Sequence, residues 1–513
     1  MVAVLVRFGV QAYTRTTYED AFISLRYAEN CAAGLGLVYN PGERVFGAST
    51  PLYVLWLALL SWCRLPALEV SRCFAAAADG VTLYLWLRWL GGRPWRSDAA
   101  AVVPDPDPSR PQSDQDLGWS RTDRLVGAAP GVLFALLFAL NPVLVIVSTS
   151  GMETSFALLC LTQAFLCQWE RRPFQMGLAL GVLTLLRPDG LLAAALLLVP
   201  GFLRDRRVPW QVLGGLGLVT LPWVVFATCY FGTPVPHSIP AKLAAYNLHR
   251  SGWLPNLRPI AGMFAPVSGP TARQWLHVAT LPLFLIGLLR AFRRPRVQPL
   301  ATLSVGWIAY LLFPRTLIFT WYYPPLLLPA CLLIAIGLGS VSDRRGQVRW
   351  LVLLTPVWCA LALGVWLGWS SARASQVQRA ESRVRHAMGD WLRAHTAPGA
   401  RIAAEPIGYI GYYCRRRMLD EVGLVSPEMV PLVRAGAGWF GRMLREFRPD
   451  YVVERTYFLA SNQTINSGVP MFTSVAEAAA FRRDYEPVVC FGASELPPAL
   501  LYHYHFQIFR RRW

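Results

Sequence analysis

The stretch Trp210-Gln-Val-Leu-Gly-Gly-Leu-Gly-Leu-Val-Thr-Leu-Pro-Trp-Val-Val-Phe-Ala-Thr-Cys-Tyr-Phe231 contains no charged side chain and follows closely on the basic stretch Arg204-Asp-Arg-Arg207. A helix needs about 20 apolar residues to cross the hydrocarbon core of a bilayer. Basic residues collect at the cytoplasmic ends of such helices. The stretch is therefore predicted to be a transmembrane helix whose amino end lies in the cytoplasm.

The composition extends this prediction to the whole chain. Of the 513 residues, 54% are apolar and only 15% are charged, whereas soluble domains average about 25% charged residues. The net charge of +19 comes from arginines that cluster at the ends of apolar segments, as between Arg290 and Arg296. This distribution indicates a polytopic α-helical membrane protein and argues against a nucleic-acid-binding protein.

About eleven transmembrane helices are predicted, with the amino end inside. The apolar segments lie at residues 1–13, 67–91, 125–147, 154–168, 174–186, 191–203, 210–231, 274–291, 298–313, 324–340 and 349–370. Arginine placement then puts the following connections outside the cell: 14–66, 148–153, 187–190, 232–273 and 314–323. The aromatic-rich segment 51–63 is too short to span and is expected at the membrane interface.

Two domains are predicted. Residues 1–370 form the transmembrane domain, whose Pro/Asp/Ser-rich insert at 92–124 is expected to be a disordered cytoplasmic loop. Residues 371–513 form a small extracytoplasmic α/β domain, in which Arg401 to Ala404 and Asp450 to Glu454 have the character of strands. Whether two cysteines of this domain pair with each other, Cys414 and Cys490, stays open.

The first outer loop begins with Thr17-Tyr-Glu19-Asp20, which places two adjacent carboxylates ahead of a predicted short helix. Thr17-x-x-Asp20 has the spacing of a capping box, and acids are favoured at helix amino ends. The local pattern therefore favours a helix cap. A reaction centre is the alternative, because a carboxylate can take a proton from a substrate hydroxyl.

Two further outer turns carry charged side chains. Glu153 lies in Ser150-Gly-Met-Glu-Thr154, and Arg187 and Asp189 lie in Leu186-Arg-Pro-Asp-Gly190. Taken singly, Glu153 is interpreted as a solvated loop residue. Arg187 and Asp189 are interpreted as an ion pair that closes the turn.

Lys242 is the only lysine among 49 lysine and arginine residues. A compact ammonium binds phosphate as a point charge and is not interchangeable with a guanidinium. The exception to the arginine bias therefore favours a phosphate-binding role, and an ordinary exposed lysine is the alternative. His237, nearby, is more often structural than catalytic in such a loop. Arg315, Tyr322 and Tyr323 belong to an aromatic segment that resembles an interface anchor.

Together these clusters place acids, cations and aromatic rings on one side of the membrane. A lipid-phosphate substrate needs that combination, because an acid deprotonates the acceptor and cations hold the departing phosphate.

Several motifs resemble those of the bacterial GT-C glycosyltransferases. They are Glu-Asp-Ala-Phe-Ile-Ser-Leu-Arg-Tyr-Ala-Glu-Asn (19–30), Gly-Leu-Val-Tyr-Asn-Pro-Gly-Glu (36–43), Ser-Gly-Met-Glu-Thr (150–154), Leu-Arg-Pro-Asp-Gly (186–190), Tyr-Phe-Gly-Thr-Pro-Val-Pro (230–236), Ala-Lys (241–242), Ile-Gly-Tyr-Ile-Gly-Tyr-Tyr (407–413) and Asp-Glu-Val-Gly-Leu-Val-Ser-Pro-Glu (420–428). The nearest branch is the terminal arabinofuranosyltransferases of mycobacterial-type walls. Protein O-mannosyltransferases and lipid A aminoarabinose transferases are more distant.

The resemblance implies a GT-C-like fold in the bacterial cytoplasmic membrane, an outer-face active site and no metal. It also implies a polyprenyl-phosphate-sugar donor and a glycan, lipid or protein acceptor. Glu19 takes the position of the family's first acid, usually aspartate, and Asp20 takes the second, so either is a candidate base. Lys242 matches the lysine that meets the donor phosphate, assisted by Arg187 and Arg315. The candidates for the acceptor or the sugar are Glu153, Asp189, His237, Tyr322 and Tyr323.

Two other classes of function remain as alternatives. A lipid-linked sugar flippase or transporter would need polar groups inside the membrane and repeat symmetry, and the sequence pattern indicates neither. A non-catalytic envelope assembly protein would tolerate the joint replacement of Glu19, Asp20 and Lys242.

Overall fold

The structure is a computed structural model, and it describes residues 1–91, 121–246, 271–312, 318–342, 349–463, 469–493 and 502–512. Most of the predicted insert at 92–124 and the candidate Arg315 lie outside the described residues.

The amino-terminal part of the chain is helical. Its helices are α1 (Val2–Thr14), α2 (Glu19–Ala32), α3 (Pro51–Trp62), α4 (Ala67–Gly91), α5 (Arg121–Leu140), α6 (Pro142–Thr149), α7 (Thr154–Trp169), α8 (Pro173–Leu186), α9 (Gly190–Asp205), α10 (Trp210–Phe231), α11 (Ser238–Ala245), α12 (Thr271–Phe292), α13 (Gln298–Leu312), α14 (Pro324–Ser342), α15 (Arg349–Glu381) and α16 (Ala387–His395). A single 3-10 turn, Thr320–Tyr322, precedes α14.

Within the described residues, three helical segments are long and apolar enough to cross a membrane: Trp210–Phe231, Pro324–Val341 and Arg349–His395. The pair Leu125–Leu140 and Pro142–Thr149 adds a fourth candidate that is bent by 48°. Several other apolar helices have only 10–17 residues, which is shorter than the thickness of the hydrocarbon core requires for an untilted helix. The helical class is confirmed, whereas the eleven spans stay a prediction.

A buried ion pair stabilises the bend between α5 and α6. Arg7 Nε lies 2.6 Å from Asp79 Oδ2, and both side chains are 1% exposed. The Arg7 guanidinium also donates to the carbonyls of Phe138 and Ala139, at the carboxyl end of α5. A charged pair therefore lies buried between the helices. Arg7 is bound by Asp79 and by helix carbonyls, which is a structural use of its charge.

The carboxyl-terminal part is a small α/β domain with a five-stranded sheet of order β2-β1-β3-β5-β4. Its elements are β1 (Arg401–Ala404), α17 (Ile407–Cys414), β2 (Arg417–Asp420), α18 (Met429–Arg434), α19 (Trp439–Phe447), β3 (Tyr451–Arg455), α20 (Thr456–Ser461), α21 (Val475–Asp484), β4 (Tyr485–Gly492) and β5 (His505–Arg511). β1 is parallel to β2 and β3, and β5 is antiparallel to β3 and β4. Both strands expected from the sequence are confirmed, and Cys414 and Cys490 are free thiols.

Helix α2 and the α/β domain share one hydrophobic core. Phe22 and Tyr27 of α2 belong to the same buried cluster as Ile407 and Ile410 of α17. Arg26, 2% exposed, crosses this core and donates to the carbonyls of Tyr39 and Gly411. The α/β domain is therefore packed onto α2, the helix that carries both acids.

The sheet domain contains a buried pair of acids, Glu421 and Glu454, that are hydrogen-bonded to each other. Each residue is 4% exposed, and burial raises the pKa of Glu454 to about 7. Because the unfolded carboxyl has the lower pKa, the folded protein holds a proton that the unfolded chain releases. The resulting stabilisation is complete below the unfolded pKa and is lost as the pH rises through about 7.

We expect the purified protein to unfold at a higher temperature at pH 6 than at pH 8. Titration of Glu454 contributes about 1 kcal/mol over this interval, and Glu454→Gln should reduce the difference. Thermal unfolding in one detergent at pH 6 and at pH 8 measures this difference in unfolding temperature. Glu446→Gln, at an exposed position, is the control that should keep the wild-type difference. A Glu454→Gln protein with the full pH difference contradicts the assignment.

Candidate active site

A cavity of about 420 Å³ lies where several helix ends meet. Five charged candidates from the sequence line it together: Asp20, Glu153, Arg187, Asp189 and Lys242. They come from the first turn of α2, the residue before α7, the turn between α8 and α9, and α11. The structure therefore gathers side chains that are as much as 222 positions apart in the sequence.

The α/β domain lies on the same side of the helices as this cavity. Leu424, from the segment after β2, is one of its lining residues. Tyr246, just after α11, also lines it, and its hydroxyl donates to Glu405 Oε1 at 3.4 Å. Glu405 in turn is paired with Arg455 at 2.7 Å. The cavity is therefore bounded by both domains.

Asp20 and Lys242 form an ion pair in the lining of the cavity. Lys242 Nζ lies 3.3 Å from Asp20 Oδ2, and the side chains are 22% and 28% exposed respectively. Burial lowers the pKa of Lys242, but Asp20, Tyr322 and Glu153 together offset this effect, so that the pKa is raised. The ammonium also lies 5.4 Å from the Phe319 ring and 5.8 Å from the Trp321 ring. Lys242 is thus a charged group that still faces the cavity.

Arg187 is held by two carboxylates. It donates to Asp189 at 2.8 Å and to Glu153 at 3.1 Å, and all three side chains are 4–6% exposed. The predicted ion pair at this turn is confirmed. The interpretation of Glu153 as a solvated residue is wrong, because its carboxylate is buried against Arg187. Burial raises the pKa of Glu153, and the Arg187 charge opposes that rise.

Glu19 is not among the described residues that line this cavity. Its Oε1 accepts hydrogen bonds from the backbone N–H groups of Gly408 at 2.5 Å and Tyr409 at 3.2 Å, the first turn of α17. Its Oε2 lies 3.2 Å from Arg385 Nη1. A Cβ at residue 408 would lie 2.2 Å from the Glu19 carbonyl oxygen, so this approach requires glycine. Glu19 thus joins α2 to the α/β domain.

The predicted capping box is wrong. The helix begins at Glu19, its N-cap is Tyr18, and no side chain makes a capping bond there. The Thr17 hydroxyl accepts a hydrogen bond from Arg72 instead, so it is unavailable to the helix. The two acids still lie in the first turn, where the helix dipole favours them.

The remaining candidates lie in different surroundings. Tyr322 lines the cavity, and Arg187 lies 5.5 Å from the centre of its ring. Tyr323 is 7% exposed and packs in the core of the helical domain. His237 precedes α11, donates its backbone N–H to Phe46 and does not line the cavity; burial lowers the pKa of its imidazole.

Sequence reasoning missed three aromatic residues that form part of the cavity wall. Phe319 and Trp321 are stacked at 4.7 Å, and Tyr246 contacts Phe319 edge-on at 5.4 Å. The position of Tyr246, four residues after Lys242, places both on one helix face and was a usable signal. Leu424 gave no such signal, because it comes from the other domain.

Comparison with known proteins identifies a solved structure with the same fold. A family model described as a domain of unknown function (DUF8728) matches residues 372–509, the α/β domain and the end of the preceding helix. The crystal structure of ArnT from Cupriavidus metallidurans bound to undecaprenyl phosphate is 14% identical, with a TM-score of 0.53, and the match covers 90% of this chain and 94% of that one. ArnT in the apo state matches at 14% identity, with a TM-score of 0.49 and coverage of 90% and 92%. No curated protein sequence matches the chain. The chain therefore shares its fold with ArnT.

We expect Arg187→Met to destabilise the protein by about 3–5 kcal/mol, because it leaves two buried carboxylates without their partner. Thermal unfolding and the yield of folded protein measure the effect. Arg172→Met is the matched control. It breaks the pair with Glu170, whose side chains are 59% and 48% exposed, and should cost less than about 1 kcal/mol. Equal losses in the two variants would contradict the role given to Arg187.

Proposed function

We propose that the protein transfers a sugar from a polyprenyl-phosphate donor to a hydroxyl of a cell-envelope acceptor, on the outer face of the membrane. The observation that carries this proposal is the Asp20–Lys242 pair, a carboxylate and the chain's only lysine at 3.3 Å in a cavity at the helix ends. The fold of ArnT, which was crystallised with undecaprenyl phosphate, supports it.

The lipid phosphate fits beside Lys242. Ile239 and Leu243 flank the lysine on α11, line the cavity, and are 37% and 52% exposed. The cavity therefore combines a cation with an apolar mouth, as a phosphate carried on a prenyl chain requires. A charge-assisted contact between ammonium and phosphate oxygen is among the stronger hydrogen bonds in proteins.

Asp20 is the base in this proposal. The acceptor hydroxyl gives its proton to the Asp20 carboxylate as its oxygen attacks the anomeric carbon. The bond between that carbon and the phosphate oxygen breaks, and the polyprenyl phosphate leaves with the electron pair. Lys242 stabilises the charge that develops on the departing phosphate. Glu19 is not given this role, because three donors outside the cavity already hold its carboxylate.

The ion pair between Asp20 and Lys242 in the absence of donor predicts the order in which the two substrates bind. Without donor, Lys242 is engaged by Asp20, so the ammonium occupies one oxygen of the carboxylate. A donor phosphate competes for the ammonium and frees the Asp20 oxygen for the acceptor. The donor is therefore expected to bind before the acceptor.

The buried ion-pair cluster is assigned to the sugar side of the cavity. Arg187 is neutralised by Glu153 and Asp189, so we assign it to holding these carboxylates rather than to the phosphate. Glu153, Asp189 and Tyr322 all line the cavity and can accept hydrogen bonds from sugar hydroxyls. Lys242 supplies the positive charge that stabilises the phosphate, so we propose a reaction without a metal. Transfer should therefore continue in EDTA.

Asp20→Asn should lower transfer by at least about 100-fold, the usual minimum contribution of a general base. The assay offers the purified full-length protein a panel of polyprenyl-phosphate sugars with an extracted envelope acceptor and measures released polyprenyl phosphate. Asp484→Asn, at an exposed position, is the control and should retain activity.

Glu19→Gln separates the two adjacent acids in the same assay. It should lose less activity than Asp20→Asn, because Glu19 positions α2 and does not touch substrate. A larger loss in Glu19→Gln than in Asp20→Asn reverses the assignment of the base. Full activity in both variants rejects the catalytic role of the pair.

Lys242→Arg should raise the donor concentration at half-saturation by about tenfold, since the wider guanidinium cannot occupy the space of an ammonium between Asp20 and two rings. Donor titration at saturating acceptor measures this change. Donor saturation identical to that of the wild type would count against a phosphate at Lys242.

A further inference from the structure

A second and larger cavity, of about 900 Å³, lies on the other side of α2. Asp20, Ile23 and Ser24 face the cavity of the ion pair, whereas Phe22 and Leu25 face the second one. The proposed transfer reaction leaves this second cavity without a role. The tyrosines of the motif at 407–413 line it as well.

One wall of the second cavity is aromatic. Phe22 lies 4.3 Å from Tyr409, 5.1 Å from Tyr412 and 5.5 Å from Tyr413, measured between ring centroids. His386 is stacked on Tyr413 at 3.6 Å. Helix α17 thus presents three tyrosines to the cavity, while its first backbone N–H groups hold Glu19.

The lining of the second cavity also carries planar polar groups in fixed positions, some of them hydrogen-bonded to the tyrosines. Arg72, with a side chain 12% exposed, donates to the Thr16 and Thr149 carbonyls. Gln378 accepts from the backbone N–H of Thr17 and donates to the Tyr409 hydroxyl. These groups line the cavity together with Glu29 and Glu69, among others.

This combination matches a carbohydrate. The C–H faces of a sugar ring pack on aromatic rings, and its hydroxyls pair with guanidinium, amide and carboxylate groups of the lining. Arg72, Gln378 and Glu29 already have protein partners, but a prenyl or acyl chain in the same place would still remove water from these charged and polar groups, which is costly.

We propose that the second cavity binds the glycan part of the acceptor, adjacent to the unit that reacts. This inference rests on the proposed function and names the substrate class of its acceptor as a carbohydrate. Thr17 lines the second cavity and Asp20 lines the first, so the glycan reaches the base around the amino end of α2. Helix α2 then separates the donor from the acceptor.

Photo-crosslinking tests this directly in cells that make the full-length protein. p-Benzoylphenylalanine replaces Tyr413, and the control position is Val475, which is 88% exposed. Mass spectrometry of the labelled peptide identifies the adduct after irradiation. We expect carbohydrate adducts at 413 well above those at 475. Lipid adducts alone, no adduct, or equal labelling at both positions overturns the proposal.

The same experiment in an Asp20→Asn background keeps the proposal distinct from the transfer reaction. Binding does not need the base, so the carbohydrate adduct should persist although transfer is lost. If wild-type protein releases no polyprenyl phosphate and the adduct forms, the proposed function fails and the glycan site stands. If transfer occurs without the adduct, the glycan site fails alone.

Kinetics give a second readout on the envelope glycan extracted from the same cells. Tyr413→Ala should raise the acceptor concentration at half-saturation by about tenfold, through loss of ring stacking, and leave donor saturation unchanged. Tyr413→Phe keeps the ring and should restore wild-type saturation. Unchanged acceptor saturation in Tyr413→Ala contradicts the proposal.

Discussion

The contact between the Glu19 carboxylate and the first turn of α17 fixes the geometry on which the rest of the site depends. Two backbone N–H groups, of Gly408 and Tyr409, and the Arg385 guanidinium hold this carboxylate. Since Glu19 is the first residue of α2, the contact sets the rotation of that helix about its axis. Asp20 is thereby directed at Lys242 and into the smaller cavity. The α/β domain is therefore part of the framework of the candidate site.

Helix geometry explains how two adjacent acids acquire different roles. Successive residues of an α-helix point about 100° apart, which lets Glu19 and Asp20 meet different surroundings in the first turn of α2. Glu19 faces the other domain, and Asp20 faces the lysine. The same rotation lets α2 present Phe22 and Leu25 to one cavity and Ile23 and Ser24 to the other. One short helix thus borders both proposed substrate sites.

The sequence predicted features with a local or compositional basis. The apolar stretch 210–231 is a helix long enough to span, and 401–404 is a strand, because each pattern lies within a few turns of chain. The single lysine stood out by composition, and its side chain lines the cavity. The capping box failed because Thr17 is engaged by Arg72, 55 positions away. The burial of Glu153, the anchoring of Glu19 and the tyrosine wall depend on contacts between distant segments, which periodicity does not encode.

The single lysine also offers the most direct test of the donor site. Selective ¹⁵N labelling of lysine side chains gives one ammonium signal, that of Lys242, in full-length protein purified without lysine in any tag. The account predicts that titration with undecaprenyl phosphate shifts this signal and saturates, and that Asp20→Asn changes the signal of the free protein. A Lys242 signal that does not move while undecaprenyl phosphate binds the protein would contradict it.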